Sequence, residues 1–422
     1  MTKQEIDSEG YVGTKNLEVL TGDGSGGAPH LAADGSDRAT DDGFSHVHEE
    51  WYKQTLDFEE AQNIVSAEEA LMKEFSVTVN QLRPEVADGK IVLAVVGGAF
   101  DGIKMSLTRT SLAQLTGIQL ASCGSGIVER LTNNEADEGD IETARQVVVN
   151  GLRHVKPDRE VFVRLRVNGT TEARALLSER YASIKHSWLL KVLAEGIPGG
   201  RVSHLRFTGD YLRANILIPD TLRDGGDSRY GGMLAFGNDE VGKGRQFTLP
   251  SIFRDICYNG CIWGEVKGQK LTKVHRGKID LEEHEMKILY NLKKQIPLLP
   301  TGINKMLSLK ALEGQAPVEA MVAQVAMSQR GMFSKKQAAS IVAAYQVEKD
   351  LQGTAHGFVN ALTRAAQDRT FFDGFAQETV ELMAGSLLNS WTADDGASRW
   401  NALLVAANAM EAADVERYVL AV

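Results

Sequence analysis

With 422 residues, 43% of them hydrophobic and 24% charged, the chain has material for two or three domains and a sizeable buried core. A net charge of −10 excludes a uniformly basic protein. No run reaches the ~18 consecutive apolar residues of a membrane helix, so no membrane partner is expected. Three cysteines are too few for a disulfide framework; with the acidic, polar start MTKQEIDSEGYVG they make cytoplasmic residence the expectation.

Residues 1–50 are acidic and, over 20–45, rich in Gly, Asp and Ser; such a stretch buries too little surface to offset its conformational entropy, and reads as a disordered arm. Helical pattern follows from His46 to Phe75, with Ser66 and Glu69 placed as a capping box for AEEALMKEF. KIVLAVVGG (Lys90–Gly98) predicts a buried strand closed by a glycine turn. MSLTRTSLAQLTGI predicts a helix, with Leu107, Leu112 and Leu115 on one face behind Ser106 or Thr108 as cap. Asn133–Asp140 reads as an acidic loop.

The centre has strand character. REVFVRLRVNGTTEARALLSERY alternates around Asn168-Gly169, the strongest hairpin signal in the chain. RVSHLRFTGDYLRANILIP predicts a second hairpin around Thr208–Asp210, and CIWGEVKGQKLTKVHRGKI a third around Lys267–Lys270. Helices are expected between them: SWLLKVLAEG with Ser187 as N-cap, and LPSIFRDICYNG with Thr248 as cap and Pro250 in the first turn. From about residue 315 the chain turns alanine-rich with 3.6-residue periodicity, and Ser334 with Gln337 forms a capping box. The predicted class is α+β: a central, mainly antiparallel sheet of β-hairpins with packed helices over residues 51–314, then an α-helical C-terminal region over 315–422.

Motifs of catalysis are scarce. Cys257 and Cys261 lack the second ligand pair of a structural zinc site and do not make the C-x-x-C of a redox pair, so both are expected to pack, with no metal. VVGGAFDG matches neither glycine-rich phosphate motif, CGSG at Cys123 is not a nucleophile elbow, and His154, His186, His204 and His275 stand apart. No catalytic residue and no cofactor are assigned.

Charge is the remaining signal. It is −15 over residues 1–150, +8 over 151–300 and −3 over 301–422. The hairpins carry Arg164, Arg166, Arg174, Arg180, Arg206 and Arg213; Lys243 and Arg245 follow, then Lys267, Lys270, Lys273, Arg276 and Lys278. On a strand Arg164 and Arg166 share a face. Tyr181, Trp188, Tyr211 and Trp263 interleave with these cations, the combination that tracks phosphates and stacks on bases in single-strand binding. An ordinary sheet with one solvated face has the same composition.

TEARALLSERYASIKHSWLLKVL, GMLAFGNDEVGKGRQFTLPSIFRDICYNG, KVHRGKI and FVNALTRAAQD, in that order over roughly residues 100–390, resemble the phage/plasmid-like family of mobile-element proteins. FGNDEVGKG, through Asp239, Glu240, Gly242 and Gly244, is similar to a segment of ring-forming single-strand annealing proteins, in which a strand leads through an acidic-glycine turn to a helix beside a basic groove. The resemblance implies a non-catalytic protein of a bacterial host cell that binds or anneals single-stranded DNA in replication or recombination. It also implies homo-oligomers, as a ring or filament, and a host or phage replication protein as partner. A phage or plasmid effector that engages a host protein through the helical C-terminal region is the alternative.

Overall fold

The computed structural model describes residues 55–419, apart from 120–127, 129–130, 132–135, 208–210, 222, 226–228, 243, 255–259, 263–270, 274, 276, 278, 329–332, 348–350, 369 and 373. The acidic arm, Cys123, Cys257 and the tips of the second and third expected hairpins therefore lie outside the described residues.

Helix α1 (Phe58–Glu69) opens on a capping box: Asp57 Oδ1 accepts from Glu60 N at 2.8 Å, and Glu60 Oε2 accepts from Asp57 N at 2.9 Å. The box expected at Ser66 is not used, because Ser66 lies inside this helix. Met72–Phe75, read as helical, belong instead to strand β1 (Met72–Thr78). Tertiary pairing decides the difference. β1 runs antiparallel to β5 (Glu160–Asn168) along its whole length, and the pleat sends Phe75 and Val77 into the core.

Strands β2 (Leu82–Ala87), β3 (Lys90–Val95), β4 (Lys104–Leu107) and β6 (Thr170–Ser178) complete a six-stranded sheet of order β1-β5-β6-β4-β3-β2, antiparallel except for β4 beside β6. Asp88 and Gly89, both at positive φ, join β2 to β3 in a tight hairpin turn, and Gly169 (φ +71°) turns β5 into β6. Helices α2 (Arg109–Gln119, capped by Thr108 Oγ1 accepting from Ser111 N at 3.1 Å) and α3 (Glu138–Arg153) cover one face through Leu115, Ile141, Ala144 and Val148. Leu107 belongs to β4 rather than to the helix expected there. The acidic stretch read as a loop supplies α3's N-terminus: Asp137 caps Asp140 N at 2.8 Å, and the carboxylates suit the positive end of the helix dipole.

A second, wholly antiparallel sheet holds β7 (Arg201–Phe207), β8 (Tyr211–Leu217), β9 (Arg223–Asp224), β10 (Arg229–Asp239), β11 (Gln246–Arg254), β12 (Gly260–Ile262) and β13 (Leu271–Lys273). Residues 249–254, expected as a helix, are the end of β11, every residue of which is buried. An apolar run that short fits either element, and full burial on both faces selects the strand. Pro250 stands opposite the gap between β13, which pairs with Gln246–Thr248, and β12, which pairs with Ser251–Phe253. β12 and β13 therefore share the edge of β11 opposite β10, and residues 263–270, where the third hairpin was expected to turn, lie outside the described residues. Helices α4 (His186–Gly196), α5 (Leu281–Gln295) and α6 (Leu299–Ser308) pack on this sheet with α1 around Leu193, Ile216, Phe236 and Leu292.

The C-terminal region is helical as expected: α7 (Val318–Ser328), α8 (Lys335–Val347), α9 (Ala355–Ala365), α10 (Gly374–Trp391), α11 (Gly396–Asn408) and α12 (Ala412–Tyr418). Ser334 and Gln337 form their capping box, with Gln337 Oε1 2.8 Å from Ser334 N. α9 is buried along its entire length, and Gly357 is required there because a Cβ would lie 2.1 Å from Leu351 O. Phe358, Trp391 and Trp400 pack around it.

Polar contacts among the described residues tie this bundle to the second sheet. Tyr230 OH lies 2.9 Å from His356 Nε2, and buried Arg213 of β8 meets Glu381 at 2.6 Å and Glu378 at 3.7 Å on α10. Gln367 and Gln377 donate to the other oxygen of Glu381. Burial works against the Arg213 charge, but Glu381, Tyr211 and Glu378 outweigh it and hold the guanidinium above its ordinary pKa. Arg213→Ala strands a fully buried carboxylate. It is expected to cost about 3–5 kcal/mol in chemical denaturation, an order of magnitude typical of broken buried pairs.

Candidate functional site

The segment FGNDEVGKG is a clamp between the two sheets, and each residue from Asn238 to Gly242 has a structural duty. Asn238 Nδ2 donates to Ile184 O at 2.7 Å. Asp239 Oδ1 accepts from Val241 N at 3.0 Å, and its carbonyl accepts from Tyr181 OH at 3.3 Å. Val241 is buried against Ala175 and Leu177, and its carbonyl accepts from Gln114 Nε2, whose Oε1 takes Leu176 N at 2.9 Å. Gly242 sits at φ +80°, where a Cβ would lie 2.7 Å from Leu177 Cδ2, so both backbone angle and space demand glycine.

Glu240 is the centre of the clamp. It is 1% exposed; its Oε2 meets Arg164 Nη2 at 2.5 Å, and Arg164 Nη1 donates to its carbonyl. Its Oε1 accepts from His186 N at 2.7 Å, so the carboxylate also caps α4. Glu69 Oε1 does the same for Ser187 N at 2.9 Å, and Ser187 Oγ donates to Glu69 Oε2. Ser187 is therefore not the N-cap; carboxylates from distant elements hold the start of α4. Glu74 closes the cluster at 2.6 Å from Arg164. Burial opposes the Arg164 charge, yet Glu240 and Glu74 more than compensate and raise its pKa.

In front of the clamp lies an open cleft of about 540 Å³. Three segments far apart in sequence form it: the β5 entry with Arg159 and Glu160, the end of β6 with Ser178, Arg180 and Tyr181, and the turn with Gly242 and Gly244. His275 of the KVHRGKI segment completes the wall, positioned by Gly277 N donating to Arg180 O at 2.8 Å. The Tyr181 and His275 rings stack at 5.4 Å and 6°, with Phe162 stacked on Tyr181 at 6.3 Å. Burial pushes the Tyr181 phenol well above its ordinary pKa, which keeps it a neutral donor to Asp239 O. Burial also lowers the His275 pKa, and its Nδ1 lies 3.0 Å from Ala182 O, the geometry of the neutral tautomer with its proton on Nδ1.

The expected basic face loses three of its members to the interior. Arg164, Arg174 and Arg213 are each 2% exposed. Arg164 and Arg213 serve the ion pairs described; Arg174, the extra residue of a β-bulge opposite Arg164–Leu165, lies against Met72 Sδ. Arg166 shares the Arg164 face of β5 but is engaged by Glu68, with Nη2–Oε2 at 3.1 Å. Arg206 pairs with Arg213 in the β7–β8 ladder, and its side chain lies outside the described residues. Lys273 is half-buried opposite Gln246, and Arg245 is exposed 3.9 Å from Glu378. Lys243, Lys270, Arg276 and Lys278 lie outside the described residues, although Lys243 is flanked in sequence by two lining glycines and Arg276 follows His275.

Arg180 stands at the cleft as an exposed guanidinium. Arg159, also exposed and in the lining, is a residue that sequence reading missed; it opens the alternating run REVFVRLRV and carried no motif. Strand β11 follows the GKG turn where the annealing-protein similarity implies a helix. Among the described residues no cluster of His, Cys, Asp and Glu could hold a metal ion, and no helix is long and apolar enough to cross a membrane. Comparison of the chain with protein-family models, curated proteins and solved structures returns no significant match.

Glu240→Ala removes a cap and one of the two carboxylates on Arg164. It is expected to lower stability by about 3–5 kcal/mol, read as a shifted urea midpoint with unchanged slope. His275 and His284 are both held below the ordinary value of 6.5 by burial. Below that pH the unfolded chain binds more protons than the folded one, so stability falls as pH drops from about 7 to 5. His275→Phe is expected to flatten that decline in pH-dependent denaturation.

Proposed function

We propose that the protein is a non-catalytic nucleic-acid-binding protein that holds an extended single strand across the cleft between its two sheets. The observation that carries this reading is the Tyr181–His275 stack in the wall of an open cleft whose lining also holds the guanidinium-bearing Arg159 and Arg180. A single strand needs aromatic surface for bases and cations for the backbone within one nucleotide's reach. Glu160 and Glu179 also line the cleft; on this reading the base lies against the aromatic wall and the phosphates follow Arg159 and Arg180. In the sequence Lys243 stands between lining Gly242 and Gly244, and Arg276 follows lining His275.

The resemblance to phage/plasmid-like proteins and to ring-forming annealing proteins supports binding or annealing of single-stranded DNA in replication or recombination of a mobile element. On this reading the protein acts as a homo-oligomeric ring or filament alongside a host or phage replication protein.

Anisotropy titration of a labelled single-stranded oligonucleotide tests the reading. The logarithm of affinity is expected to fall linearly with the logarithm of salt, by about 0.7 per phosphate neutralised. Arg180→Glu is expected to weaken binding several-fold without changing the unfolding midpoint, because Arg180 is exposed. Failure to bind any single strand at low salt would overturn the proposal.

A further inference from the structure

One residue of the cleft lining, His275, carries a ring nitrogen for which the described residues supply no partner. His275 is 5% exposed, and its Nε2 is buried without a hydrogen bond among the described residues. The other ring nitrogen is committed: Nδ1 lies 3.0 Å from the carbonyl of Ala182, which has no proton to give, so Nδ1 must donate. In the neutral ring Nε2 is then a bare acceptor. Stacking on Tyr181 at 6° fixes the plane in which that lone pair points, and Gly277 N on Arg180 O fixes the segment that carries it. A buried acceptor left unmade costs about 1–3 kcal/mol, so a group that satisfies it on binding recovers a real driving force.

The neighbouring groups sharpen the chemistry. Glu160 and Glu179 carboxylates and the Ser178 hydroxyl share the lining with His275. Beside the guanidinium groups of Arg159 and Arg180 the wall therefore offers acceptors, which complement a planar group that presents N–H donors at its edge. Every unpaired nucleobase has such an edge, and in a duplex the same N–H is consumed by the opposite base. We infer that His275 Nε2 accepts a hydrogen bond from the Watson–Crick edge of an unpaired base, making His275 the residue that distinguishes single strands from duplexes. This rests on the reading of the cleft as a nucleic-acid site.

The test compares two single strands of equal length with the full wild-type chain: oligothymidine, whose only Watson–Crick donor is N3–H, and oligo(N3-methylthymidine), which keeps the phosphates and the stacking ring. Wild type is expected to bind the unmethylated strand about fivefold to tenfold tighter, the span of one hydrogen bond. His275→Phe retains a stacking ring and is expected to bind both strands equally, near the weaker affinity. In wild-type chain labelled with ¹⁵N-histidine, the His275 Nε2 resonance should move upfield with oligothymidine and stay in place with the methylated strand; this reading holds even where the variant fails to fold. Equal affinity of wild type for both strands, or discrimination that survives in His275→Phe, overturns the inference and leaves the nucleic-acid site standing. Absence of binding to either strand at low salt overturns the site and the inference together.

Discussion

The buried pair of Arg164 and Glu240 is the contact on which the rest of the architecture depends. Arg164 belongs to the six-stranded sheet and Glu240 to the turn that ends β10 of the other, and both are almost fully removed from water. Desolvating two charges costs several kcal/mol each, and their attraction returns that only with good geometry and further hydrogen bonds. Here the geometry is supplied: Glu74 is the second carboxylate on Arg164, and His186 N is the second donor on Glu240. A leucine pair of the same volume would hold the sheets together as firmly. It would not fix the direction of the turn, and the ion pair's contribution lies in that specificity.

Everything at the cleft follows from the direction so fixed. With Glu240 anchored, Asp239 meets the Tyr181 hydroxyl, Val241 seals against Ala175 and Leu177, and Gly242 is pressed onto Leu177. Gly242 then lies beside Tyr181 in the cleft lining, and His275 and Gly277 are joined to residues 180–182 by backbone hydrogen bonds, one of them from Gly277 at φ +80°. The two segments that looked most distinctive in the chain thus meet at one place, with a structural half behind and an accessible half in front.

The positive charge of residues 151–300 is divided in the same way. Arg164 and Arg213 join one layer to the next, Arg166 meets Glu68 at the end of α1, and Arg159, Arg180 and Arg245 are exposed. Arginine suits the internal task because its planar fork meets two acceptors at once and it does not lose its proton on burial. A count of cations along the chain therefore overstated the basic surface. The counting cannot separate an arginine that meets a phosphate from one that meets a distant glutamate.

Local signals in the sequence determined the elements whose cause is local. Asn168-Gly169 specified its hairpin because glycine adopts the positive φ of that turn without a Cβ penalty, the alanine-rich periodicity specified the C-terminal helices, and Ser334 with Gln337 capped one of them. The Asp88-Gly89 turn was equally legible and was passed over. Tertiary structure alone decided β1 and β11, where helix and strand patterns are both compatible with the residues and a partner strand supplied the missing preference. It also decided the cleft, since Arg159, Tyr181, Gly242 and His275 are brought together by an ion pair spanning 76 residues, a separation that no local pattern encodes.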